Sequence, residues 1–218
     1  MSLFRPSLSR RLFLSSAAAL GLAQAVNYVG AGTVEFIHDS DSGVFYFLEM
    51  NTRIQVEHPV TEMVTGVDLV VEQIRCAIGE PLSLRQEDVI LRGHSIECRI
   101  NAESVEHNFM PSPGRIRKWV PPSGSDVRLD THCHEGYLVS PHYDSMIGKL
   151  IVHADNRSAA IAKMLRCLRD FRLEGIETTI PVHLAILQHP DFAADLVTTR
   201  WVEQTFLPGL NQPHESVP

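Results

Sequence analysis

Glu49-Met50-Asn51-Thr52-Arg53-Ile54-Gln55-Val56-Glu57-His58-Pro59-Val60-Thr61-Glu62 carries the chain from the end of a strand into a polar connection. Just upstream, Val44 to Met50 is dominated by aromatic and aliphatic residues, and Thr33 to Ile37 by β-branched and aromatic ones, so both segments are predicted to be strands. The turn residues Asp39 to Gly43 between them are few enough for an antiparallel hairpin. In the second strand Glu49 and Asn51 are two residues apart and so share a face, and Glu35 on the first strand can add another carboxylate. Oxygen donors of this kind suit Mg²⁺, which completes its shell with phosphate oxygens, so the set fits MgATP better than a zinc hydrolase site. Ordinary surface charge is the competing reading. Against it stand the apolar neighbours Phe45, Phe47, Leu48 and Met50, among which an unpaired buried carboxylate is costly. Spacing alone leaves both readings open.

Thr52 to His58 is polar, ends at Pro59 and is predicted to be a loop. Within it Arg53 offers a planar fork suited to a small oxyanion, and Glu57, or alternatively His58, could act as a base. An Arg-to-Glu spacing of four is also that of a solvated salt bridge. Beyond the loop, Asp68 reads as the N-cap of a helix with Leu69, Val70, Ile74 and Ile78 near one face and Gly79 as its stop. Pro81 to Gly93 reads as a linker. It is followed by predicted strands at Ser95 to Ile100, Gly114 to Val120, Asp126 to Thr131 and Met146 to His153. Ile161, Met164, Leu165 and Leu168 then recur at helical spacing from Arg157 to Phe171, and another helix is predicted from Pro181 to about Gln188. The second unit is therefore α+β.

A chain of 218 residues with 44% hydrophobic and 21% charged residues has the composition of an ordinary globular protein. A formal net charge of -7 argues against a non-specific nucleic-acid binder, which needs Lys and Arg on phosphates. Cys76, Cys98, Cys133 and Cys167 are widely spaced and form no CxxC pair, so they read as buried or half-buried thiols. No stretch reaches the roughly 18 to 20 consecutive apolar residues of a membrane span. Ser9-Arg10-Arg11-Leu12-Phe13-Leu14, with Ala23-Gln24-Ala25 beyond it, has the look of a twin-arginine export signal. The apolar run is short and alanine-heavy and leads straight into Tyr28-Val29-Gly30, which favours an amphipathic helix from Leu12 to Val26 and a cytoplasmic protein.

Several blocks together carry a resemblance to a known family. Glu49 to Glu62, Thr65-Gly66-Val67-Asp68, Glu97-Cys98-Arg99-Ile100-Asn101-Ala102-Glu103, Pro111-Ser112-Pro113-Gly114 and Tyr143-Asp144-Ser145-Met146-Ile147-Gly148-Lys149-Leu150 resemble the signature of biotin carboxylases. The likeness runs from about Asn27 to about Leu210. It implies an α+β chain in which the end of an ATP-grasp domain, residues 1–80, is followed by the biotin carboxylase C-terminal domain, residues 94–210. It further implies that Glu35, Glu49 and Asn51 bind the Mg²⁺ or Mn²⁺ that accompanies ATP, and that Ile37 packs on the nucleotide, although plain core packing would explain Ile37 equally. Arg53, Gln55 and the backbone of Val56 would hold bicarbonate, and Glu57 would be the base. In the family, ATP converts bicarbonate to carboxyphosphate, which breaks down to CO₂ and phosphate; the phosphate then removes the N1 proton of biotin.

Arg99 would steady the biotin enolate, since a guanidinium offers fixed charge to a developing oxyanion. A strand arginine paired with a neighbouring acid is the alternative. The implied partners are a biotin carboxyl carrier protein, a carboxyltransferase, as in acetyl-CoA carboxylase and fatty acid biosynthesis, and a second copy of the chain through Arg128; neither nucleic acid nor membrane is implied. The family also has an N-terminal nucleotide-fold domain and a glycine-rich lid with lysines, and neither is recognisable here. The chain is therefore expected to be inactive in isolation, or else to act as a non-catalytic module that pairs with full-length carboxylase subunits. His132-Cys133-His134 invites a metal reading, but on a strand the cysteine would point away from the histidines. Asp144 and Lys149 read as packing or local pairing.

Overall fold

The computed structural model describes residues 19–39 and 41–210. The twin-arginine stretch from Ser9 to Leu14 lies outside them. The chain divides into two compact units, Met1–Ile90 and Leu91–Pro218.

In the first unit, helical residues 19–25 precede β1 (Thr33–His38) and β2 (Phe45–Asn51), which pair antiparallel as a two-stranded sheet. Register shifts between Glu35 and Phe36: Glu35 opposes Glu49, whereas Phe36 opposes Phe47, so Leu48 is an extra residue in β2. Such a bulge changes which face the residues beyond it occupy. Strict alternation would put Phe47 beside Glu49. With the bulge, Phe47 turns to Phe36, ring centroids 6.2 Å apart, and leaves the face of Glu35, Glu49 and Asn51.

Pro59 was expected to end a loop, and the structure corrects this. A helix spans His58–Thr65 with Pro59 in its first turn, where the missing N–H is no loss because that donor has no partner within the helix. Gly66, at φ 75°, closes it in the left-handed region. The next helix, Leu69–Ala77, is capped as expected by Asp68, whose carboxylate accepts from Val71 N at 2.9 Å. Its apolar face is not buried, however: Ile74 is 57% and Ile78 68% exposed.

The second unit holds the buried core. Its three-stranded sheet has β10 (Met146–Ala154) between β3 (His94–Asn101) and β8 (Val127–Thr131), all antiparallel. Ile96, Cys98, Ile100, Leu150 and Val152 cluster with Ile161, Met164, Cys167 and Leu168 of helix Arg157–Asp170. Each such side chain, fully buried, contributes about 1.5–3 kcal/mol. Asn156 caps this helix by accepting from Ala159 N. The other sheet face is charged, because Arg99, Lys149 and Asp130 are partners across the three strands.

β4 (Glu103–Ser104) and β5 (Met110–Pro111) pair with each other, and the strand expected from Gly114 to Val120 is in fact two, β6 (Gly114–Arg115) and β7 (Lys118–Val120), which pair with β9 (Leu138–Val139) and β11 (Arg172–Glu174). The chain changes partner at the fully buried Ile116, whose amide donates to Tyr137 O, while Arg117 N donates to Glu174 O. The crossing needs a glycine opposite: Gly175 has φ 110°, and a Cβ there would collide with the Arg115 carbonyl oxygen. His132 to His134 is not strand either; both imidazoles lie edge-on to Tyr137, with centroids 5.2 and 5.7 Å away, and Cys133 is buried. Helix Ile180–Gln188 and a π-helical turn at Val202–Phe206 complete the unit, the latter packing Trp201 and Phe206 on Val182.

Candidate functional site

The hairpin places Glu35 and Glu49 directly opposite one another. Like charges at such a position repel unless something lies between them. Asn51 fills that role: its Nδ2 donates to Glu35 Oε1 at 2.8 Å and to Glu49 Oε1 at 3.2 Å. From the polar segment after β2, Gln55 Nε2 donates to the same Glu35 oxygen at 3.1 Å, and Arg53 Nη2 donates to Asn51 Oδ1 at 3.4 Å. Residues that spacing grouped as two separate sets are thus one hydrogen-bonded network.

The network continues into the following helix. The Gln55 carbonyl accepts from His58, with Nδ1 at 2.7 Å, and the other ring nitrogen lies 4.0 Å from Glu62. Glu62 is buried and accepts from Leu69 N at 2.8 Å, so it ties the starts of two helices together. Beside the network opens a groove of about 450 Å³ lined by Gly30, Gly32, Arg53, Gln55, Glu57 and His58. Arg53 and Glu57 are exposed there, and Gln55 and Val56 half-buried. The groove comes close to the β2 backbone at Gly32, where a Cβ would lie 3.4 Å from Asn51 O and 3.1 Å from the Met50 and Tyr28 side chains.

One sequence argument fails. Glu49 is exposed, as are Phe47 and Leu48 at 53% each, so burial does not force Glu49 to find a partner. What speaks for a cation is the donor set itself. Rotating the Asn51 amide to exchange its nitrogen and oxygen would bring three oxygens to the point now held by the NH₂ group, a hard set for Mg²⁺ or Mn²⁺. Among the described residues no group of three or more His, Cys, Asp or Glu could hold a metal, so this carboxylate pair with its amide would need ligand oxygens to complete a coordination shell. Ile37, on the Glu35 face of β1, is 55% exposed.

Arg99 belongs to the second unit, exposed on the charged face of β3. Arg128, on β8, forms a two-pronged pair with Asp130 at 2.7 and 2.9 Å, and Lys149 Nζ lies 3.4 Å from the same carboxylate. Sequence reading missed two links. The Gln55 to Glu35 contact spans twenty residues, which no local spacing reveals. The His58 to Glu62 pair does have a signal, since i and i+4 on a helix are neighbours, but it is visible only once the helix is recognised.

Comparison with known proteins bears on both units. Residues 97–204 match the family model described as the biotin carboxylase C-terminal domain, and residues 7–85 match that of the carbamoyl-phosphate synthase L chain, ATP binding domain. Among curated relatives, a biotin carboxylase of Nostoc sp. is 57% identical over 187 residues, 86% of this chain and 42% of the relative. Biotin carboxylase 1 of Bacillus subtilis is 56% identical over 85% of this chain and 41% of its own length. The chain therefore spans about two-fifths of these relatives. Among solved structures, the biotin carboxylase domain dimer of Hydrogenobacter thermophilus 2-oxoglutarate carboxylase, in complex with MgADP, ADP and bicarbonate, superposes with a TM-score of 0.87 at 43% identity, covering 98% of this chain and 46% of that one. A biotin carboxylase from Campylobacter jejuni gives 0.81 at 48% identity, covering 85% and 41%.

Proposed function

This chain belongs to the biotin carboxylase family, and from that premise we propose that it carries the metal, bicarbonate and biotin residues of an ATP-dependent carboxylation of biotin. The observation that carries the reading is the single network linking Glu49, Asn51, Glu35, Gln55 and Arg53 at the edge of a groove that also contains Glu57. Glu35, Glu49 and Asn51 hold Mg²⁺ or Mn²⁺, and Ile37 packs on the nucleotide. When bound, the cation neutralises charge on the ATP phosphates.

Arg53, Gln55 and the Val56 backbone hold bicarbonate, and Glu57 removes its proton. A bicarbonate oxygen attacks the γ-phosphorus of ATP as ADP leaves, giving carboxyphosphate. This splits to CO₂ and phosphate; the phosphate takes the N1 proton of biotin, and N1 attacks CO₂. Arg99 stabilises the negative charge that spreads onto the ureido oxygen. Biotin arrives on a carrier protein, a carboxyltransferase takes the product onward, and two copies of the chain associate through the β8 region that bears Arg128. The reading places the chain in the cytoplasm, where ATP is supplied. Because the chain spans about two-fifths of its relatives, turnover draws on the remainder of such a protein, and the chain alone does not cleave ATP in a bicarbonate-dependent way.

A hybrid tests this: residues 27–210 replace the matching part of the Bacillus subtilis relative. ATP cleavage dependent on bicarbonate and biotin is expected, and Glu57→Gln should abolish it. A hybrid whose activity ignores Glu57→Gln would remove the assignment of the base.

A second reading is favoured by the surface of the first unit. Apart from Pro59, every aliphatic or aromatic side chain of the described core lies at or beyond Ile96, while Ile37, Tyr46, Phe47, Leu48, Ile74 and Ile78 are exposed. Such a face suits a non-catalytic module that pairs with full-length carboxylase subunits. Capture of those subunits by the Glu57→Gln chain would support it.

A further inference from the structure

Among the described residues β3 is an edge strand, paired only with β10. Its outward-facing groups near Arg99 are not left to solvent. Thr179 Oγ1 donates to Arg99 O at 3.1 Å and accepts from Asn101 N at 3.0 Å, and Thr179 N donates to Asn101 O at 3.1 Å. One turn further along helix Ile180–Gln188, the Nε2 of His183 lies 2.7 Å from the same Arg99 carbonyl oxygen. That oxygen can only accept, so Nε2 carries the proton, and the two donors occupy both of its lone pairs.

The grip falls where the ladder on the other side is irregular. Register between β3 and β10 shifts between Met146 and Gly148, opposite Asn101 and Ile100, so regular pairing fails within two residues of Arg99. The extra residue, Ile147, belongs to β10, and such a bulge disrupts the ladder locally, so β3 loses regular pairing just beyond Arg99, which itself still opposes Lys149. Thr179 and His183 supply fixed points from the other edge at just that level. An arginine is long: a turn of about 10° at its Cα carries the guanidinium about 1 Å, and a misplacement of that size costs on the order of a hundredfold in rate.

We propose that Thr179 and His183 are positioning residues for Arg99: by clamping its carbonyl they set the direction in which its guanidinium meets biotin. The inference rests on the biotin role of Arg99, and its test separates the two. In the full chain, the Arg99 Nε–H resonance is followed by NMR, assigned by its loss in Arg99→Met, and free biotin is titrated in. Removing a donor, in His183→Ala or Thr179→Val, should shift and broaden that resonance and weaken the biotin response by about tenfold or more. His183→Gln and Thr179→Ser keep a donor and should restore both.

Thr179→Val keeps the side-chain volume, so it carries the test even where His183→Ala disturbs folding. If the resonance moves in the variants but biotin never perturbs it in the wild type, the clamp stands and the biotin role of Arg99 falls. An Arg99 resonance unchanged in Thr179→Val and His183→Ala, with biotin titrating as in the wild type, overturns the clamp.

Discussion

Replacing Glu35 with glutamine should separate cation binding from stability. Cβ atoms of directly opposed residues in an antiparallel pair lie about 4.5–5.5 Å apart, and two negative charges at that distance repel by about 1 kcal/mol in water and about 3 kcal/mol at an effective dielectric of 20. Glu49 is exposed, so the lower figure applies. Glu35→Gln removes that repulsion. It also weakens the bonds from Asn51 and Gln55 to Glu35 Oε1, each worth about 1.5 kcal/mol at the low end for a charged acceptor. Because the amide oxygen keeps part of that bonding, the two changes nearly offset, and the cation-free hairpin should hold its stability to within about 1 kcal/mol. Cation binding has no such offset, because half of the carboxylate charge is gone; a tenfold loss in affinity corresponds to about 1.4 kcal/mol.

The assay is hydrogen exchange of the β1 and β2 amides with and without Mn²⁺. At a concentration 100-fold above its dissociation constant, Mn²⁺ should slow exchange in the wild type by the equivalent of about 2.7 kcal/mol, and in Glu35→Gln by about 1.4 kcal/mol or less. Equal protection by Mn²⁺ in both proteins would refute the cation assignment. Cation-free exchange accelerated by the equivalent of more than about 2 kcal/mol would instead make Glu35 a structural carboxylate.

Four further outcomes follow from the second unit and the later part of the first. Met164 is fully buried in the core, and Met164→Ala should cost about 2–5 kcal/mol, read from the urea midpoint. Burial, aided by the nearby Glu97 charge, pushes the Cys98 thiol from 9.0 up to about 12, so alkylation near pH 8 should reach the half-buried Cys76 first and spare Cys98 in the folded chain. As pH climbs above 9.0, the unfolded chain gains thiolate that the fold excludes, and stability should fall, less so in Cys98→Ala. Hydrogen bonds from the Ser83 hydroxyl and amide hold the Glu72 carboxyl below its ordinary 4.5. The stability from that clamp is present above pH 4.5 and is lost as pH falls through the lower folded value, so Ser83→Ala should speed exchange near Ser83 at neutral pH but make no difference in strong acid.

Local signals made the hairpin, the Asp68 cap and the helix with Ile161, Met164 and Leu168 legible, because each rests on period, cap chemistry or turn length within a few residues. The errors have physical causes. Pro59 ends one helix or opens the next with the same chemistry, and only the absence of an upstream helix decides which. The apolar run Phe45 to Leu48 suggested two-sided burial around Glu49, but the bulge at Leu48 and the exposure of this hairpin answer to its surroundings and not to the run itself. Ile116 carries no mark that the chain changes partner there; the cause lies far along the chain, where Gly175 admits a close crossing.

The same difference bears on how the site is held. In the second unit, Arg99 stands on a strand whose opposite face is packed by Ile96, Cys98 and Ile100, so the strand is held by apolar burial and its guanidinium needs only a local clamp. Apart from Pro59, the first unit contributes no aliphatic or aromatic side chain to the described core, and an isolated two-stranded hairpin is marginal in water. Glu35, Glu49 and Asn51 are therefore ordered mainly by polar bonds, from Asn51 to both carboxylates and from Gln55 to Glu35, and those bonds engage the groups that a cation and bicarbonate would engage. Ligands entering such a site would replace the bonds that order it with stronger, charge-neutralising ones, so binding and local ordering should rise together. The acidic pair that is least stable alone is thus the part of the chain whose order depends most on its ligands.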